Sequence, residues 1–414
     1  MRAISRCTAA IGLAVAVALV TASPATAGVA QPTEVSTNPA GFTPDVNDGA
    51  VQKVLQVGAI MYAGGYFTSV TKGATFARQN LFSFNATTGA VQAFTAKTDG
   101  PVWALASDGR ALYVGGDFTT VNGVARRGLA KLNLTTGALD PKFDAHLSAR
   151  VRDAHFVGGR LIIGGAFRKA LQAVDPVTGA DTGYINLGVS GSAADPPEPT
   201  KVQKFSVNPA GTRLVAVGNF TTVSGQPRGR AFVVDLGATS TTLDAWRYPP
   251  LAQQCLTRRD DYMRDVDFSP DGKYFVMVTT GSFTPANQIG VMVCDAAARF
   301  ETAIPAPTRP TWINYTGGDT LHSVVVTGAA VYVQGHPRWL NNPYGLETPG
   351  PGAVERKGIA AINPTTGLAS SWNPGKTRGI GGMDLYATPQ GLWVPSDTEQ
   401  IAGEIHKRIA FFPL

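Results

Sequence analysis

Charged and polar side chains recur in this 414-residue sequence where a strand should be apolar. The runs VRDAHF (151–156), VQKFSV (202–207), MRDVDF (263–268) and LHSVVV (321–326) carry them at their second and third positions. If equivalent strands stand side by side, Arg152, Asp153, Lys204, Arg264, Asp265, His322 and Asp384 converge on one opening. Convergent charges in a cleft suit an anionic ligand, a sugar or a metal, and carboxylates there could do acid–base work. The competing reading is structural. Buried charges must be paired, and Asp153 with Lys204 would make such a pair between neighbouring strands.

A second set lies in long segments, 186–201, 247–262, 302–320 and 335–357. Tyr248, Tyr262, Trp312, Tyr315, His336, Trp339 and Tyr344 occur there beside Arg258, Arg259, Asp260 and Asp261. Rings mixed with polar groups suit a glycan or a protein partner, because they offer area at little entropic cost. The same rings could instead only pack the loops. Zinc needs about four ligands, and no Cys or His cluster supplies them, so neither a metal nor a cofactor is expected. No G-x-S-x-G, H-E-x-x-H or phosphate-binding glycine loop occurs. A Ser/His/Asp triad stays open, since its members need not be near in sequence.

The elements that position these residues repeat. First strands start near Val51, Val102, Val151, Val202, Met263, Leu321 and Gly382, spaced 49 to 61 residues apart. Such a period fits four short strands and their turns. Second strands end in glycine pairs, Gly64-Gly65, Gly115-Gly116 and Gly164-Gly165, which permit a bulge or close backbone approach. An aromatic follows two residues on, as Phe67, Phe118 and Phe167. Third strands read LFSF, GLAKL, AFVVD, VMVCD and GIAAI, and the outer strand follows a Thr-Thr-Gly or Val-Thr-Gly turn. The seventh unit supplies three strands and stops, while NPAGFTPDV near the start is an orphan whose Phe42 has the spacing of an outer-strand aromatic. The reading is an all-β, seven-bladed β-propeller over 28–414, its last blade closed by the N-terminal strand. Closure removes the open sheet edges that invite aggregation.

The phrase GGDFTTVNGVARRGLAKLN followed by TGALDPKF (115–143) resembles the delta-60 repeat of bacterial exported β-propellers and, more loosely, kelch repeats. Residues 102–143 carry the resemblance best, 51–94 and 202–236 less well, and the units after 263 depart from it. It implies a propeller with binding or surface roles, and it carries over no catalytic residues.

Residues 1–27 read as a signal peptide: Arg2 and Arg6, an apolar stretch from Ile11 to Val20, and Ala25-Thr26-Ala27 as the cleavage site. No later stretch reaches about 18 apolar residues, so no membrane span is expected. An exported chain keeps Cys255 and Cys294, which predicts one disulfide, two unrelated thiols being the alternative. Thirty-five basic residues against 29 acidic give +6, scattered along the chain, which argues against nucleic acid. The expectation is a secreted monomer that binds a glycan or protein partner at the cell surface through the loops of blades three to six. The alternative is a glycan-active or hydrolytic enzyme using carboxylates at the channel mouth.

Overall fold

The computed structural model describes residues 28–193, 198–255 and 263–414. The fold is all-β. Long strands follow one another as antiparallel sheets, numbered here in chain order. Sheet 1 is Ala50–Val57, Ile60–Tyr66 and Leu81–Asn85; sheet 2 is Val102–Ser107, Ala111–Gly116 and Leu129–Asn133. Sheet 3 is Val151–Val157, Arg160–Gly165 and Leu171–Val174; sheet 4 is Val202–Val207, Arg213–Gly218, Ala231–Leu236 and Thr241–Leu243. Sheet 5 is Met263–Phe268, Tyr274–Thr279, Ala296–Glu301 and Trp312–Tyr315. Sheet 6 is Leu321–Val326, Val331–Gly335 and Ile359–Ile362; sheet 7 is Tyr386–Thr388, Gly391–Pro395 and Ile409–Pro413. In sheets 1, 2, 3 and 6 the outer strand shrinks to one bridge, such as Phe84 with Val91.

The core is spread between adjacent sheets rather than gathered at one centre. Trp246 of the outer part of sheet 4 packs with Phe275 and Phe300 of sheet 5 in edge-on contacts. At the two ends of the chain, Trp393 and Phe411 of sheet 7 share a cluster with Val51, Val54 and Phe84 of sheet 1. The N-terminal segment runs along the outer side of sheet 7. Ser36 N–H donates to Pro413 O at 2.7 Å and Ala40 N–H to Phe411 O at 2.8 Å. Phe42 packs on Trp393 and Phe411, at 5.9 and 5.6 Å between centroids.

The glycine pairs have a definite cause. In sheets 1 to 6 the register of first on second strand slips at one place, for example between Val51 and Lys53. The residue skipped is the second position, so a β-bulge lies opposite the pair. A Cβ on Gly65 would come 2.0 Å from Ala50 O, and one on Gly116 2.2 Å from Pro101 O. The first glycine of the pair makes room across the interface, since a Cβ on Gly64 would meet Val102 Cγ1 at 2.4 Å. One glycine admits the bulge and the other admits the next sheet.

Between second and third strands the chain often makes a small hairpin above the sheet, as in Thr120–Val121 with Val124–Ala125. Its corner, Asn122-Gly123, has φ of 52° and 81°, which suits a tight mirror-image turn. We call the end of the sheets that carries these hairpins the top. Sheet 3 lacks a hairpin and turns through 166–170, while sheet 5 has the long segment 280–295 instead. Two expectations are corrected here. VMVCD (291–295) is loop, and the third strand of sheet 5 is Ala296–Glu301. Segment 302–320 is not one top loop, because Trp312–Tyr315 within it is the outer strand of sheet 5. The apolar VMV hid the boundary, and a β-rich, proline-flanked stretch hid the strand.

Candidate functional site

Strand alternation sorts the predicted charged residues into two levels. Third and fifth positions share one face of a strand, and they point into a central cavity of about 70 Å³. Its wall includes Lys53, Asp153, His155, Lys204, Ser206, Asp265, Asp267 and Asp384. Second-position residues do not line it. They sit on the bulges at its upper opening.

Inside the cavity every carboxylate is used as a stitch between sheets. A first strand has no partner on its channel side, so its N–H groups need acceptors. Asp153 accepts Phe205 N–H at 3.0 Å, Asp265 accepts Val324 N–H at 3.0 Å, and Asp384 accepts Val54 N–H at 3.2 Å. Asp267 accepts Val326 N–H at 2.8 Å and the Ser206 hydroxyl at 3.0 Å. Each bond joins one sheet to a neighbour. Lys53 Nζ adds an ion pair to Asp384 at 2.8 Å, and Lys204 stands 3.9 Å from Asp153.

Protonation follows this pairing. Burial alone would raise the Asp153 carboxyl, but Lys204 and His155 outweigh it and hold the group well below its ordinary value. Burial opposes a charge on Lys53, yet Asp384 and Asp153 carry its pKa above the usual lysine range. Asp265 and Asp267 have no lysine in close contact; burial outweighs the more distant Lys204 for Asp265 and the hydrogen bonds of Asp267, and pushes them up to about 7 and about 6. Asp267 and His155 were legible as fifth positions of strands already singled out, two residues beyond the acids that the sequence reading chose.

At the opening, Arg152 lies over the ring of Trp103, 3.8 Å from its centroid, with Arg150 at 5.7 Å. Gln203 is buried beside them in sequence order, then Arg264 and His322 follow on sheets 5 and 6. His322 is 5 % exposed and packs edge-on against His336 at 5.6 Å. Burial, Arg264 and His336 together depress its pKa, so the ring is neutral. Lys376, 3 % exposed, also reaches this cluster, and burial lowers it to about 8. No sequence pattern singles it out, because it follows the repeat turn of a neighbouring unit.

The predicted aromatic loop residues divide. Trp312 Nε1 donates to Pro364 O at 2.9 Å, and Tyr315 accepts Gly290 N–H and donates to Met292 O at 2.8 Å. Both are buried anchors. His336 accepts Thr320 N–H at 3.2 Å and lies 3.1 Å from Ile380 O. Trp339 is half-buried under Arg338, whose guanidinium also grips Asp319 at 2.9 and 3.0 Å. Tyr344 is 63 % exposed on the 335–357 segment. Tyr262 lies outside the described residues. On the outer flank, Arg309, Trp312, Asn314, Asn341 and Leu368 border a groove of about 630 Å³.

The disulfide forms between Cys255 and Cys294, with Cα atoms 6.1 Å apart. It ties the connection between sheets 4 and 5 to the 280–295 loop, not to a strand, since VMVCD, read above as a third strand, is loop. Among the described residues no group of three His, Cys, Asp or Glu is placed to hold a metal ion, and no helix is long and apolar enough to cross a membrane. Asn85 and Asn133, in glycosylation-like triplets, spend their side chains on the turn, Asn133 accepting Thr135 and Thr136 N–H at 2.9 Å.

The model of a β-propeller domain of unknown function, DUF5122, matches residues 106–143. No curated protein sequence matches the chain. Among solved structures, U3-55K is 10 % identical with a TM-score of 0.55, covering 91 % of this chain and all of that one. The WD40 β-propeller domain of Doa1 is 11 % identical with a TM-score of 0.51, covering 90 % and 95 %. The hydrazine synthase of Kuenenia stuttgartiensis is 11 % identical at 0.51, covering 89 % and 97 %. At such identities the likeness concerns the fold alone, and the fold is that of an all-β propeller.

Proposed function

We propose that this chain is an exported, closed seven-bladed propeller that binds acidic groups of a glycan or protein partner at its top opening and performs no catalysis. Each sheet described above is one blade, and the N-terminal segment beside Ile409–Pro413 completes the seventh. A signal peptide over 1–27, a domain over 28–414 and a monomeric, secreted product complete the reading. The disulfide fits an oxidising compartment.

The observation that carries the binding reading is the division between lumen and rim. The lumen carboxylates accept backbone N–H groups, and about 70 Å³ holds a few waters rather than a sugar ring. Ligand pockets are several times larger, roughly 300–1,000 Å³. The rim, in contrast, carries Arg152, Gln203, Arg264 and His322 on consecutive bulges, with Trp103 as a flat apolar neighbour. Bulges re-aim side chains out of a sheet, and cationic groups beside rings suit carboxylate- or sulfate-bearing ligands. The exposed Tyr344 and half-buried Trp339 extend that surface along blade six.

The test is an array of uronate-, sialate- and sulfate-bearing glycans with neutral counterparts, followed by titration of the best binder. Arg152→Ala with Arg264→Ala should weaken binding at least about tenfold, as expected when charged hydrogen bonds worth roughly 1.5–3 kcal/mol are removed. Turnover of any array member, abolished by Asp265→Asn, would favour the enzyme instead.

A further inference from the structure

Among the described residues, Asp265 and Asp267 on the channel wall make no close ion pair, although Lys204 and Lys53 act on Asp265, and His155 on Asp267, from further away. Asp384 has Lys53 and Asp153 has Lys204, each at the third position of the neighbouring first strand. The third position of sheet 6 is Ser323, whose hydroxyl donates instead to Gly382 O at 3.2 Å. Asp265 and Asp267, which face sheet 6, are therefore left with N–H and hydroxyl donors only.

Gly28 and Val29 form part of the wall of this same cavity. Gly28 is wedged on the turn that follows the strand bearing Asp265 and Asp267, where a Cβ would come 2.8 Å from Pro270 Cα. Gln31 fixes the segment beneath sheets 6 and 7. Its N–H donates to Thr327 O at 3.0 Å, and its amide donates to Thr388 O at 2.8 Å and Gly391 O at 3.1 Å. Residues 28–31 thus cross the end of the channel opposite the rim. Independently, Ala25-Thr26-Ala27 ends at the preceding residue.

We infer that the α-ammonium of Gly28, created by cleavage after Ala27, occupies the channel as the counter-charge of Asp265 and Asp267. Export processing then finishes the propeller's interior. This rests on the cleavage site read above. A peptidase hydrolyses the Ala27–Gly28 amide with one water. The acyl carbon takes the oxygen and leaves as the carboxylate of Ala27, and the nitrogen becomes a protonated amine. An uncleaved amide nitrogen carries no charge.

The titratable groups that share this cavity wall with Gly28 are Asp265, Asp267, Asp153, His155, Lys204, Lys53 and Asp384. Without the ammonium, both carboxyls prefer their protonated forms when buried, so stability falls as pH rises through their range. The ammonium removes that loss. Its own pKa, ordinarily about 7.7–8.0, is raised by the carboxylates, so its contribution is full below that ordinary value and disappears above about pH 9.

The experiment compares full mature protein beginning at Gly28, the same protein N-acetylated, and a form retaining Ala27, each as wild type and Asp267→Asn. At pH 7.5 the free Gly28 form should melt about 2–4 °C above the other two, with the gap closing near pH 9.5 and in Asp267→Asn. The Gly28 amine should react with an acylating reagent at least about tenfold more slowly in native wild type than in Asp267→Asn or in urea. Should Asp267→Asn fail to fold, the native-against-urea comparison and Asp265→Asn carry the test. Equal melting of all three forms, with native labelling as fast as in urea, overturns the contact. Mass spectrometry of exported protein reads cleavage separately: another first residue removes both claims, whereas Gly28 with equal melting removes only the contact.

Discussion

Replacing Lys53 by methionine tests how the ends of the chain are joined. Lys53 belongs to sheet 1 and Asp384 precedes the first strand of sheet 7, with Nζ 2.8 Å from Oδ1 and side-chain exposures of 14 % and 5 %. At that distance two charges attract by about 6 kcal/mol with an effective dielectric of 20, before desolvation is subtracted. Removing one partner of such a pair typically costs about 3–5 kcal/mol, because the other charge stays buried. For a chain of about 390 residues unfolding as a unit, an unfolding entropy near 2.1 cal/mol/K per residue converts this to a drop of roughly 4–6 °C in Tm. Calorimetry on Lys53→Met, Asp384→Asn and the double variant measures it. The double variant should be more stable than Lys53→Met alone, because it leaves no buried charge unpaired. A Tm change under about 1 °C with additive single effects would refute the stitched seam.

Further expectations follow from other parts of the fold. Gly116→Ala should lower Tm far more than Gly109→Ala, because its Cβ would sit 2.2 Å from Pro101 O, whereas Gly109 has open space and only its φ of 81° to lose; paired thermal melts decide this. Cys255→Ser with Cys294→Ser reopens a 39-residue separation, about 4 kcal/mol on a chain-entropy estimate, read as lower urea resistance against wild type. Lys376, lowered to about 8 by burial, is favoured neutral in the fold, so it adds stability above its ordinary value of about 10.4 and loses it as pH falls through 8. Lys376→Met should therefore stabilise the protein at pH 6–7 and do little at pH 10, by thermal melts at both values.

Much of the fold was legible because its constraints are local. Glycine at the second-strand end, a Thr-Thr-Gly turn after Asn133 and an aromatic eight residues before the next strand each answer one steric need. Spacing alone also drew attention to the segment around Phe42, which lies against Trp393 and Phe411. The site was only half legible. Convergence of the charged strands could be read, but a bulge shifts side-chain direction by one residue, and the skipped residue is invisible in sequence. Arg152 and Asp153 therefore looked like neighbours in one cluster, whereas one belongs to the rim and the other to the lumen. Sheet 5 was misread where repeat signals decay, since VMVCD has the composition of a strand but carries the cysteine that pins a loop.

The central claim is that the rim binds and the lumen only holds the blades together. Titrating one acid-bearing glycan from the array against wild type, Arg152→Ala with Arg264→Ala, and Asp265→Asn tests it most directly. The account predicts saturable binding that falls at least about tenfold in the arginine variant and is unchanged in Asp265→Asn. Binding that survives loss of both arginines but disappears with Asp265→Asn would contradict it.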